Sequence, residues 1–228
     1  MSSPVFSADA ILEALAGQPQ CVRGGGRAVM IVSARRKEGV TTVARAVAQS
    51  MGPGAIYAVD LDLKRNALAK ALSETGALGP KIDGRLGGAT FYDVRAANGM
   101  LLREAVPVFT YHRVAKSRVF AGIFDARSLP QGARISVSSR ADYWINARTG
   151  GAGVVVDAPA LERSKVALKV ARHMDGVVLV VGAEPGAAPA AIAAKAALVA
   201  AGANVIGLVY AGATGPVMAM ERLLRQAG

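Results

Sequence analysis

Two groups of residues in this chain have types and spacings that do chemistry. The first is the run Ser33-Ala34-Arg35-Arg36-Lys37-Glu38-Gly39-Val40-Thr41-Thr42. It follows an apolar stretch, Ala28 to Val32, and opens a helical pattern through Val43, Ala46 and Val47. A loop between strand and helix can grip phosphate with its backbone N–H groups, the helix N-terminus and a lysine beside a hydroxyl residue. Thr41 supplies the hydroxyl, but Val40 stands where the lysine belongs. The second group is Asp60, Asp62 and Asp157, which follow apolar, strand-like runs. Carboxylates at such places hold a magnesium ion, often through water. The plain alternative for any one of them is a helix cap or a loop turn.

For these groups to meet, the chain must bring several strand ends to one edge. Its pattern predicts this. Ala55 to Val59, Val154 to Asp157, Val177 to Val181 and Val205 to Tyr210 are apolar runs of strand length. Helical patterns lie between them at about 41–51, 67–72, 163–174 and 187–201, and a last one at 217–226. Continuously apolar strands alternating with helices predict an α/β fold: a doubly wound, mostly parallel sheet covered on both faces. Ligands bind such sheets at the carboxyl ends of the strands. A first helix is expected after Ser7, followed by a Gly-rich connector to residue 27. Residues 74–90 read as an irregular surface segment and 91–105 as weakly helical. Segment 106–137 reads as β-rich and insertion-like, with a hairpin formed by 106–114 and 118–124. The whole reads as a single domain of 228 residues.

Composition excludes several classes. Hydrophobic content of 52% with 19% charge describes a folded globular chain. No apolar run reaches membrane-span length. One cysteine, Cys21, excludes an internal disulfide, and a cytoplasmic chain is expected. The net charge of +11 predicts an acidic partner, such as an anionic membrane surface or a protein. Aromatic content of 5% and scattered arginines make nucleic acid the least favoured partner. His112 and His173 lack partner motifs, and Trp144 reads as a core or interface anchor.

The motifs together resemble a known family. Ser33, Ala34, Glu38, Gly39, Thr41 and Thr42 fit the pattern Ser-Ala-x-Pro-Gly-Glu-Gly-Lys-Ser-Thr. Asp60, Asp62, Leu63, Lys64 and Arg65 fit Asp-x-Asp-Leu-Arg-Arg-Pro, with Asn66 for the proline. Val155-Val156-Asp157-Ala158-Pro159 fits Ile-Ile-Asp-Thr-Pro-Pro. These are motifs of the bacterial tyrosine kinases associated with polysaccharide co-polymerases, within the MinD/ParA class of P-loop proteins. The resemblance covers about residues 28–72 and 150–212. It implies a P-loop NTPase fold and a nucleotide site built from Ala34, Arg35, Lys37, Glu38, Gly39, Val40, Thr41, Thr42, Asp60 and Asp62. It also implies a metal position at Thr41, Asp60 and Asp157.

The departures bear on the same site. Val40 replaces the loop lysine, and Lys37 stands where the family has glycine. Tyr210 and Ala211 replace the stretch carrying an asparagine near the adenine, and residues 217–228 contain no tyrosine. A lost charge-assisted hydrogen bond is worth about 1.5–3 kcal/mol, or roughly ten- to a hundredfold in affinity. Mg-ATP binding is therefore expected to be weak or lost. Arg35, where the MinD/ParA class has a second lysine, is a candidate stand-in. The resemblance implies a kinase-like subunit of exopolysaccharide or capsule synthesis and export, docked on an inner-membrane co-polymerase or chain-length protein. Self-association and attachment to the inner membrane face are further expectations; the 217–226 helix resembles a MinD-type membrane-binding helix, but a helix docked on the sheet is the favoured reading of it. The competing reading is an active MinD/ParA-class ATPase that switches dimerisation or membrane attachment.

Overall fold

A computed structural model describes residues 6–102 and 107–211. The chain alternates strands and helices around one eight-stranded sheet. In chain order the elements are α1 (Ala8–Ala16), β1 (Ala28–Ser33), α2 (Val40–Ser50), β2 (Ile56–Asp60), α3 (Ala67–Ser73), β3 (Leu78–Asp83) and β4 (Tyr92–Arg95). There follow β5 (Phe109–Val114), β6 (Val119–Phe124), β7 (Arg134–Val137), α4 (Asp142–Asn146), β8 (Gly153–Asp157), α5 (Val166–Val170), β9 (Gly176–Gly182), α6 (Ala187–Ala200) and β10 (Val205–Ala211). The sheet runs β10-β9-β1-β8-β2-β6-β5-β3. The first six of these strands are parallel; β5 and β3 complete the sheet in antiparallel pairing. This is the mostly parallel α/β sheet of a P-loop NTPase-type fold.

β1 shows why the apolar runs had to be strands inside a two-faced core. All its residues are buried. Met30 and Val32 face the layer holding Trp144, Val170 and Leu198, whereas Val29 and Ile31 face Leu15, Val47 and Leu72. The alternation is the period of two that a pleated strand imposes. Helices α1, α2 and α3 cover one face; α4, α5 and α6 cover the other with the small β4–β7 sheet. α1 begins as the sequence predicts, with the Ser7 hydroxyl accepting from Ala10 N–H.

The middle of the chain corrects two expectations. Segment 74–90 contains an edge strand, β3, paired antiparallel with β5. Its Pro80 is tolerated because an edge strand leaves some N–H positions unpaired. Segment 91–105 contains a strand, β4, instead of a helix over its described part; it pairs with β7 in a separate sheet. Tyr92 and Val94 are buried while Asp93 and Arg95 are more open, a strand alternation. The expected hairpin exists as β5–β6, and β6 joins it to the main sheet along β2. The helix expected over 163–174 is shorter: α5 passes directly into a 3-10 turn over Ala171–His173. The expected helix at 217–226 lies outside the described residues. No helix among the described residues is long and apolar enough to cross a membrane.

Candidate functional site

Three strand ends build the site. β1 ends at Ser33 and releases the loop, β2 ends at Asp60, and β8, lying between them, ends at Asp157. Asp60 and Asp157 are register partners in adjacent parallel strands, so both carboxylates stand on the same edge. A cleft of about 710 Å³ opens there, lined by Lys37, Val40, Thr41, Asp60, Asp62 and Asp157 among others. Gly39 (at φ 89°), Glu38 and Thr42 also face it.

Thr41, Asp60 and Asp157, the residues expected to hold a metal, stand together at this edge. The Thr41 hydroxyl donates to Asp157 Oδ2 at 2.7 Å. Asp60 accepts from the N–H groups of Asp62 and Ala67, both at 2.7 Å, and of Leu68 at 3.3 Å. Asp60 thereby caps α3, whose own preceding residue, Asn66, gives no side-chain cap. Both carboxylates are almost fully buried. Burial raises the protonation range of each, and the Asp60 charge raises Asp157 further. Asp157 rises more than Asp60 because its carboxylate is held by one hydroxyl, whereas three backbone N–H groups stabilise charged Asp60. Asp62 is different. Arg163 grips it with both terminal nitrogens and Arg65 approaches at 3.6 Å, so its charge is already met.

The phosphate side is rewritten. Val40 opens α2 at the position that would carry the lysine, and no side chain caps this helix start. Lys37 sits at φ 66°, a left-handed conformation natural to glycine and costly for other residues. Glu38 is buried and ties the loop to β9: it accepts from Arg35 N–H and Gly182 N–H, both at 3.0 Å. Arg36 N–H donates to Glu162 Oε1 at 2.7 Å, and its guanidinium meets the same oxygen at 3.2 Å. Carboxylates of the chain itself therefore occupy two loop N–H groups, those of Arg35 and Arg36. Arg35 does not line the cleft; its guanidinium donates to Pro185 O at 3.0 Å. Ala34 is buried behind the loop.

Two side chains at this site were not anticipated from the sequence: Arg163, which lines the cleft, and Glu162, which holds Arg36 in its wall. Both lie in the loop after β8, a few residues beyond Asp157. That proximity to a strand end was the available signal. Among the described residues, no group of three or more His, Cys, Asp or Glu side chains is arranged to hold a metal. Thr41, Asp157 and Asp60 are the residues that would hold a magnesium ion, with its further ligands from phosphate and water. The loop offers no cation at the lysine position, where Val40 stands.

No protein-family model matches the chain. No curated protein matches it either. Among solved structures, it is similar to the chimerical protein CapA2B2, with a TM-score of 0.55 and 14% identity over 89% of this chain and 82% of that one. It is also similar to the kinase domain of Escherichia coli tyrosine kinase ETK, with a TM-score of 0.50 and 16% identity over 89% of this chain and 69% of that one. The chain has the fold of a bacterial tyrosine kinase domain. At these identities the likeness is one of fold. Within that fold, Val40 and Lys37 stand in the cleft's loop wall, Glu162 holds Arg36 of the same wall, and Thr41, Asp60 and Asp157 lie together.

Proposed function

We propose that this chain is a kinase-like subunit of an exopolysaccharide or capsule synthesis and export system, acting as a regulatory scaffold with a degenerate nucleotide site. The observation that carries the degenerate site is the loop itself: Val40 stands at the lysine position and Lys37 is held at φ 66° beside it. The kinase fold supports the family, as do the paired motifs ending at Asp62 and Asp157. The polysaccharide context rests on the motif resemblance, since a fold alone hosts many functions. In this reading the protein works in the cytoplasm at the inner membrane face. It docks on a co-polymerase or chain-length protein and associates with copies of itself, and its +11 charge favours an anionic membrane surface.

The test is co-purification of the tagged chain from membranes, with Mg-ATP titrated into the same sample. Membrane association with weak or absent ATP binding and no phosphate release is expected. Robust autophosphorylation, or a protein that never sediments with membranes, overturns the proposal. The second reading, an active MinD/ParA-class ATPase, draws on the assembled Thr41–Asp157–Asp60 group. Its sequence-based stand-in, Arg35, is engaged with Pro185 O instead. ATP hydrolysis abolished by Asp60→Ala would favour this second reading.

A further inference from the structure

A second cavity, of about 540 Å³, shares a wall with the cleft: Asp62, Pro159 and Arg163 line both. Its charge is one-sided. Lys64, Arg163, Lys165 and Lys169 line it, and the one carboxylate among its lining residues is Asp62. That carboxylate is already held by Arg163 and Arg65. Among the described residues, Lys64, Lys165 and Lys169 enter no ion pair. In the first cleft, Arg36 is paired with Glu162 and Arg65 with Asp62, and Lys37 alone of its lysines and arginines enters no ion pair among the described residues.

The remaining walls narrow the ligand class. Leu61 and Leu63 are buried and supply apolar surface. Ser136 and Ser164 supply hydroxyls; the Ser164 oxygen accepts from Val166 N–H at 3.3 Å, which leaves its O–H free to donate. Lysine ammonium groups are compact point charges suited to phosphate oxygens. Three around one pocket match a dianion concentrated on one head group better than charges spread along an extended peptide. We propose that this pocket is a second anion site, built for a phosphomonoester with an apolar body. It neighbours the degenerate cleft but uses none of its loop residues. Arg163, in the shared wall, is the side chain through which occupancy reaches Asp62.

The proposal is tested on the full chain, without nucleotide, by calorimetric titration with inorganic phosphate and with phenyl phosphate. Saturable binding is expected, several-fold tighter for phenyl phosphate because its ring meets the leucine wall. The double variant Lys165→Ala/Lys169→Ala should weaken binding about tenfold. These lysines are exposed, so an unchanged melting temperature verifies that the fold is intact. Two controls separate other sources. Lys37→Ala removes a cation from the first cleft, and Lys116→Ala/Arg118→Ala removes two near the β5–β6 turn at the opposite edge of the sheet. Both should leave affinity within about twofold. No saturable binding overturns the proposal, as does loss on Lys37→Ala or equal loss in all variants. Vesicles containing phosphatidic acid distinguish the ligand's source. Vesicle binding lost with Lys165→Ala/Lys169→Ala assigns a lipid head group, and binding of soluble ester alone assigns a free metabolite. Vesicle binding without soluble-ester binding overturns the pocket.

Discussion

Asp157→Asn should stabilise the protein, and the gain should grow with pH. Asp157 and Asp60 are buried side by side at the ends of β8 and β2. An aspartate in an unfolded chain titrates near pH 4. Burial, followed by the neighbouring Asp60 charge, pushes Asp157 up to about 8. Between those values the folded state holds a proton that the unfolded state has released. The sign follows: the group weighs least on stability below about pH 4, and stability falls as pH rises through about 8. Each pH unit in that window corresponds to at most about 1.4 kcal/mol. Coupling to Asp60 and the open cleft reduce the total, so a gain of about 1–3 kcal/mol is expected for the variant at pH 8.5. The amide oxygen of asparagine still accepts from the Thr41 hydroxyl, so the start of α2 keeps its tie. Urea denaturation followed by fluorescence of the buried Trp144 measures the effect at pH 8.5, 7 and 5.5. A gain independent of pH, or a variant weaker than the parent at pH 8.5, would refute the reasoning.

Other substitutions report on separate parts of the argument. Val40→Lys should tighten Mg-ATP binding by roughly ten- to a hundredfold in calorimetry, and adding Glu162→Gln should tighten it again by weakening the carboxylate's hold on Arg36 N–H. Unchanged affinity in both would show that the lysine is not what limits binding. Lys37→Gly trades a left-handed strain of about 1–2 kcal/mol for the entropy of a freer unfolded chain, about 0.4–1 kcal/mol. A net gain of about 0.5–1 kcal/mol in denaturant midpoints is expected; a loss would mean that the lysine side chain itself holds the loop. Arg148 and Asp175 form an ion pair with side chains 2% and 0% exposed, and Asp175 also holds Cys21 N–H and Ala28 N–H. Arg148→Ala should therefore cost about 3–5 kcal/mol in urea unfolding. A cost below 1 kcal/mol would mean that water replaces the guanidinium.

What the sequence made legible follows the range of the interactions involved. β1, β8 and β9 are apolar throughout because both faces are covered, and such runs announce themselves locally. Thr41, Asp60 and Asp157 were legible for the same reason: each sits at the end of a recognisable strand or the start of a recognisable helix. β3 and β4 were not. Their ladders pair Ile82 with Tyr111 and Tyr92 with Val137, and no local pattern encodes a partner so distant. Arg35 illustrates a further limit. Its charge and position suggested a phosphate contact, but a long side chain can turn either way, and the nearby Pro185 carbonyl takes it. Glu162 and Arg163 escaped because their roles depend on how the loop after β8 folds back over β1, where Leu161 and Glu162 N–H groups bond Ser33 and Ala34 carbonyls.

That distinction bears on why the two halves of the cleft differ. Asp60 has work to do without any nucleotide: it caps α3 and closes the turn through Asp62. Asp157 likewise ties Thr41, and with it the first turn of α2, to the central strands. Glu38 bonds the loop to β9. These side chains belong to the architecture as much as to any ligand, so losing the hydrogen bonds they accept loosens this edge of the fold. A lysine at position 40 has no comparable structural task, because its charge would face the cleft. Glycine at position 37 would relieve the left-handed strain of Lys37 as well as open the backbone to phosphate. The residues that match the kinase pattern are therefore largely those the sheet edge needs, and Val40 departs from it where the fold has no use for a lysine. A scaffold released from tight ATP binding would show this division.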